Sequence, residues 1–169
     1  MDRRNIEIVA TGLRMHHGMP LACDVTLVSP LRADGTPRPR AAERDGVAIA
    51  DIEDAKHKTY PELARPSSGC KFLVLACEVG GRWSNTSCQF VRDLANEKSM
   101  SAPPRLRRAA ALAWENRWWS MLSVAVHDNL AATLVDDAPH LLYAWEGRDP
   151  PLGELLHGEA PTESRLPLR

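Results

Sequence analysis

The sequence predicts an α/β domain: a small mixed sheet containing a β-hairpin, a crossover helix, and C-terminal helices packed on the sheet. Three features predict it. Two β-rich segments near the N-terminus, "NIEIVATG" (5–12) and "ACDVTLVSP" (22–30), are separated by a polar stretch, as in a hairpin with a longish loop. A continuous apolar run, "KFLVLACEVGG" (71–81), comes after a helical pattern, and strand, helix, strand order implies a parallel crossover. From Ala102 to Val135 the chain reads as one long helix.

The elements follow in order. Gly12 closes the first strand, and the second covers about residues 21–28. Residues 29–46 hold three prolines and two glycines among charged residues, and read as a long loop. From Val47 the pattern turns helical, with Ile49, Ile52, Tyr60 and Leu63 near one face and Pro61 where the helix ends. The run 71–81 has the composition of a strand covered on both sides, and Gly80 and Gly81 supply the turn out. Residues 84–99 form a helix capped by Ser84, with Phe90, Val91 and Leu94 as its buried stripe. The prolines at 103 and 104 start the last long helix, whose inward positions are Leu106, Ala110, Trp114, Met121 and Val124 or Ala125. Residues 1–135 are thus read as the domain, and 136–169 as an acidic, proline-rich tail with at most a short turn near Leu152–Leu156.

A chain of 169 residues, 44% apolar, is enough for one core. No run is long enough to span a bilayer, and Asp2, Arg3 and Arg4 precede no apolar signal core, so the protein reads as intracellular, without a membrane partner. Cys23, Cys70, Cys77 and Cys88 are 47, 7 and 11 residues apart, which matches neither paired CxxC ligands nor a disulfide framework. They read as reduced thiols, with a zinc site using His57 or His127 as the alternative. The net charge of −1 conceals an uneven distribution: residues 136–169 carry seven acids against three arginines, leaving 18 basic and 15 acidic residues ahead of them. That balance permits a polyanionic partner without requiring one.

Asp24 is the residue that composition does not explain. In a strand it shares a face with Ala22 and Thr26, so it either faces water from an edge or sits in the interior with a purpose. Glu7, between Ile6 and Ile8, is placed in the same way on the first strand, and hairpin pairing brings the two carboxylates within reach of one cation. Lys56 lies four residues after Ile52 and four before Tyr60, on the apolar stripe, whereas Asp51, Asp54, Lys58 and Glu62 line the solvated face. A lysine there must snorkel out or meet an acid, and Glu7 and Asp24 are the acids available. Two carboxylates with an opposed lysine suit metal-assisted phosphodiester hydrolysis, because hard Mg²⁺ prefers carboxylate oxygen.

The stretches "RRNIEIV", "CDVTLVSPL" and "DAKHKTY" resemble the restriction-like endonuclease domain of site-specific non-LTR retrotransposons, a divergent branch of the PD-(D/E)XK nuclease superfamily. "TYPEL", "EVGGRW" and "RWWSMLSVAV" are similar to segments of dinoflagellate retroelement-derived open reading frames, and the resemblance runs from about Arg3 to Val126. It implies a PD-(D/E)XK-like core, a DNA partner, Mg²⁺ or Mn²⁺ as cofactor, a nuclear location, and nicking of target DNA for element insertion. Carried over by position, Glu7 replaces the family's first aspartate, Asp24 is the aspartate of "DVT", and Lys56 matches the lysine that has moved onto the helix; Glu7 and Asp24 would hold the metal. Thr26 stands where an unmigrated lysine would be. The chain departs from the pattern at Ile6, where the family has proline, at Glu7 itself, and in lacking the preceding helix. These departures imply an N-terminally truncated copy or a piece of a retroelement polyprotein. They also support a rival reading, a catalytically inactive relic that at most binds nucleic acid weakly.

Other residues have competing readings. Glu78 either adds a ligand or holds the glycine turn by its amides, and Arg82 beside it touches phosphate or, better, is solvated. Trp114, Trp118 and Trp119 with Arg117 fit a base-stacking platform or, better, a core stripe. Arg105, Arg107 and Arg108 form a phosphate-facing patch or a solvated helix end. His16 and His17 fall in the hairpin loop and read as exposed.

Overall fold

β-Branched and apolar residues make the sheet. The computed structural model describes residues 6–134 and 150–157. Strand β1 (Ile8–Ala10) pairs antiparallel with β2 (Leu21–Val28), with Ile8 opposite Cys23 and Ala10 opposite Leu21. Helix α1 (Val47–Thr59) then crosses over to β3 (Lys71–Glu78), which runs parallel to β2 along its whole length, from Leu21 opposite Lys71 to Val28 opposite Glu78. The predicted hairpin and crossover are both present, in a three-stranded mixed sheet of order β1-β2-β3. The first strand is shorter than expected: pairing starts at Ile8.

Alternation along the strands divides the core in two. On one face Ala22, Val28, Phe72, Val74 and Ala76 pack with Ala48, Ile49 and Tyr60 of the α1 region. On the other, Leu21, Cys23, Leu73 and Leu75 pack with Phe90 of helix α2 (Asn85–Ser99) and with Leu13 and Met15 of the hairpin loop. Helix α1 ends where Tyr60, no longer helical, donates its amide to the Lys56 carbonyl, ahead of Pro61. Ser84 caps α2 as predicted, its hydroxyl accepting the Ser87 amide at 3.0 Å.

Helix α3 (Arg107–Leu134) packs on the outer side of α2, and α4 (Leu152–His157) lies against α3. The packed stripe of α2 is Ser87, Val91, Ala95 and Ser99, at a spacing of four, while Phe90 and Leu94 are only half-buried. Ser87 of this stripe meets the sheet, its hydroxyl donating to the Ala76 carbonyl of β3 at 3.2 Å. Ala110 and Trp114 of α3 are buried as expected, but Leu106, Met121, Val124 and Ala125 are exposed, contrary to the helical pattern. The reason is length. At 1.5 Å per residue, the 28 residues of α3 span about 42 Å and the 15 of α2 about 22 Å, so the second half of α3 runs past its partner. Leu106 precedes α3 in a short 3-10 turn and never joins its inward stripe.

Among the described residues no helix is long and apolar enough to cross a membrane. The four cysteines are free thiols, with Cys23 and Cys77 buried and Cys70 and Cys88 half-buried. His17 is exposed, but His16 is half-buried, and both take left-handed backbone angles (φ 60° and 52°). The predicted tail lies mostly outside the described residues, apart from α4.

Candidate active site

Asp24 lies midway along β2, on the face that α1 covers, and is fully buried. It is therefore an interior group and not an edge charge facing water. Burying a lone carboxylate is expensive, so a partner is required. Lys56 is that partner. Its Nζ donates to Asp24 Oδ2 at 2.9 Å and lies 2.7 Å from Oδ1. The shorter contact is an ion contact, so both carboxylate oxygens of Asp24 lie against the one ammonium. The helix positions the lysine as its sequence register requires, between Ile52, which packs on the core, and buried Tyr60.

Burial by itself would lower the Lys56 ammonium. The hydrogen bond and charge of Asp24 outweigh it, with smaller contributions from Tyr60 and Glu7, and hold the ammonium above the ordinary lysine value. Lys56 is thus a cation and a donor at neutral pH.

Glu7 stands just before β1, and continuing the strand register places it opposite Asp24. Its carboxylate does not bond Lys56 or Asp24. Oε2 instead accepts the Val25 amide at 3.1 Å, doing the work of a ladder carbonyl where the pairing stops. Glu7 is exposed, and the Lys56 side chain is 24% exposed, so these two groups are the parts of the cluster that meet solvent. The structure joins Asp24 to Lys56 directly and leaves Glu7 beside them.

Asp24 and Glu7 offer hard carboxylate oxygens, the type Mg²⁺ or Mn²⁺ prefers, but both oxygens of Asp24 face the Lys56 ammonium and Glu7 Oε2 is taken by the Val25 amide. Among the described residues no group of three or more His, Cys, Asp or Glu side chains is arranged to hold a metal ion, so such an ion would complete its shell with water and phosphate oxygens.

The remaining candidates fall elsewhere. Glu78 binds no turn amide through its side chain; its Oε2 receives Arg82 Nε at 3.3 Å, and Arg82 Nη1 also reaches Asp45 Oδ2 at 3.0 Å. Arg82 is therefore an ion-paired link between the β3 turn and the loop before α1, which a sequence pattern cannot show because its partners are 4 and 37 positions away. Trp114 is core, in ring contact with Trp118 (centroids 5.6 Å apart), and Trp119 meets Trp83 at 5.5 Å. Arg107 Nε bonds the Ala102 carbonyl, whereas Arg105 and Arg108 are exposed. Comparison of the chain with protein-family models, with curated proteins and with solved structures gives no match.

Proposed function

We propose that the chain is a metal-dependent endonuclease of the PD-(D/E)XK kind, acting on DNA with Mg²⁺ or Mn²⁺ held by Asp24 and Glu7, and that its role is nicking of target DNA for retroelement insertion, which places it in the nucleus. The observation that supports this reading is a fully buried strand aspartate gripped by a lysine that the next helix brings across the sheet, with a second carboxylate, Glu7, beside them. A cation held by Asp24 and Glu7 would supply the acidity that makes a water nucleophilic at neutral pH. The water oxygen bonds to phosphorus as a P–O ester bond breaks, and negative charge grows on the phosphate oxygens. Lys56, held protonated, does not take the water's proton, which passes to solvent while the departing ester oxygen gains a proton from solvent; the ammonium donates to a phosphate oxygen and stabilises the growing charge.

A second reading has its own support. Asp24 has no exposed surface and its charge is already matched, which also describes an ion pair that only fixes the helix on the sheet, in an inactive relic that binds nucleic acid weakly. Nicking of supercoiled plasmid, with calorimetric titration of Mn²⁺ on the same samples, separates the two. The nuclease reading expects binding and nicking by the wild type, and loss of both in Asp24→Asn, which keeps the side-chain volume. Wild-type protein that neither binds Mn²⁺ nor nicks is the outcome that refutes it.

A further inference from the structure

The segment joining β2 to α1, residues 29–46, connects the two elements that hold Asp24 and Lys56, and it is tied down along its length. Leu31 bridges Pro37, the Arg32 amide donates to the Thr36 carbonyl at 2.8 Å, and the Arg38 amide donates to the Pro30 carbonyl at 2.9 Å. Asp34 accepts from both the amide and the hydroxyl of Thr36, at 2.9 and 2.6 Å. Asp45 is held by Arg82. Two of the segment's three acids are therefore engaged, leaving Glu43.

Its four arginines divide differently. Arg38 is turned inward, with Nε on the Ser29 carbonyl at 2.8 Å. Arg32, Arg40 and Arg44 are exposed, and none has an ion-pair partner among the described residues. The Arg40 carbonyl accepts the amides of Glu43 and Arg44, which fixes the turn carrying two of them. Three exposed arginine forks on a held loop can bind phosphate oxygens in a bidentate way.

The geometry points to this loop as a backbone contact for duplex DNA flanking the Asp24–Lys56 site, with Arg32, Arg40 and Arg44 as the phosphate ligands. The identity of the polyanion rests on the function proposed above. Ser29 lies five residues beyond Asp24 along the chain, about 17 Å at strand rise. Phosphate contacts carry no sequence information, so the loop adds affinity and register but no base preference.

The test uses the full chain, a labelled DNA duplex and fluorescence anisotropy without divalent cation, across about 50 to 200 mM salt. Each lost phosphate contact flattens the slope of log K against log salt by about 0.9, so Arg32→Gln/Arg40→Gln/Arg44→Gln is expected to flatten it by about 2 to 3 and to weaken binding tenfold or more at the low-salt end. Replacing the same three by lysine is expected to keep most of the slope, and Arg105→Gln/Arg108→Gln, in the far helical layer, to keep all of it. An unchanged slope in the triple glutamine variant overturns the inference, as does an equal loss in the α3 variant, no binding by the wild type, or preference for an RNA duplex. Because binding is read without cleavage, absent nicking with intact arginine-dependent binding would sink the nuclease reading alone.

Discussion

Lys56→Met is the perturbation whose size the structure sets most directly. It removes the ammonium from a carboxylate with no exposed surface while keeping the apolar stem of the side chain. Breaking a buried pair by deleting one partner costs about 3–5 kcal/mol, because the remaining charge is left uncompensated. The Lys56 side chain is 24% exposed, so water reaches part of the vacated space and the lower end, about 3 kcal/mol, is expected. In a chain of this length that corresponds to a fall in Tm of about 6–12 °C. Urea unfolding at neutral pH, in EDTA, measures it. The double variant Asp24→Leu/Lys56→Met replaces both charges by apolar groups of similar bulk and is expected to recover most of the loss. A single-variant loss under about 1 kcal/mol, the range of an exposed pair, would refute the claim that Asp24 depends on Lys56. So would a double variant as unstable as the single one.

Other consequences are checked more simply. Pairing raises the folded-state Lys56 ammonium above its ordinary value of 10.5, so the folded chain holds this proton more tightly than the unfolded one. The stability it contributes is fully present below that value and is lost as pH rises through the higher folded value, so urea midpoints should fall above about pH 10.5 more steeply in the wild type than in Lys56→Met. Ser84→Ala removes the α2 cap and should lower stability by about 1 kcal/mol, with Ser84→Asp restoring most of it in thermal melts. Burial, helped by the charge of Glu78, pushes the Cys77 thiol up to about 11, leaving about one part in a thousand as thiolate at pH 8. Maleimide should therefore label half-buried Cys70 and Cys88 of the native protein well before Cys77, as mass spectrometry of digests would show.

What could be read from the sequence was whatever rests on local periodicity. A lysine four positions from both Ile52 and Tyr60 has to project where they do, and it does. The strand–helix–strand order gave the parallel pairing of β2 and β3, and Ser84 declared the start of α2. The misreadings share a cause in tertiary geometry. Met121 and Val124 continue an apolar pattern, but only the length of α2 decides how much of α3 is covered. The buried stripe of α2 runs through Ser87, Val91, Ala95 and Ser99, and Ser87 is set there by a tertiary contact, its hydroxyl on the Ala76 carbonyl of β3, that periodicity does not show. Glu7 was legible as a carboxylate near Asp24, but its bond to the Val25 amide depends on where β1 stops pairing.

The burial of Asp24 sharpens the choice between a working site and a structural pair. A catalytic carboxylate must meet the metal, and here the Lys56 ammonium already sits 2.7 Å from Oδ1 and 2.9 Å from Oδ2. β2 is paired on both sides at Cys23, next to Asp24, so the backbone has little room to move; the lysine stem, partly exposed, is what can swing. Activity would then exchange partners: Lys56 leaves Asp24 for a substrate phosphate as a divalent cation takes its place, with no carboxylate left uncompensated. In this scheme lysine and metal compete for one carboxylate, which predicts something opposite to a simple loss of function. Even at the dielectric of bulk water, two unit charges about 4 Å apart interact by about 1 kcal/mol, which is about fivefold in affinity. Lys56→Met, titrated well below its Tm, should thus bind Mn²⁺ at least about fivefold more tightly than the wild type while nicking plasmid less. Weaker or absent Mn²⁺ binding in that variant would mean that Asp24 is no metal ligand and that the pair serves the fold alone.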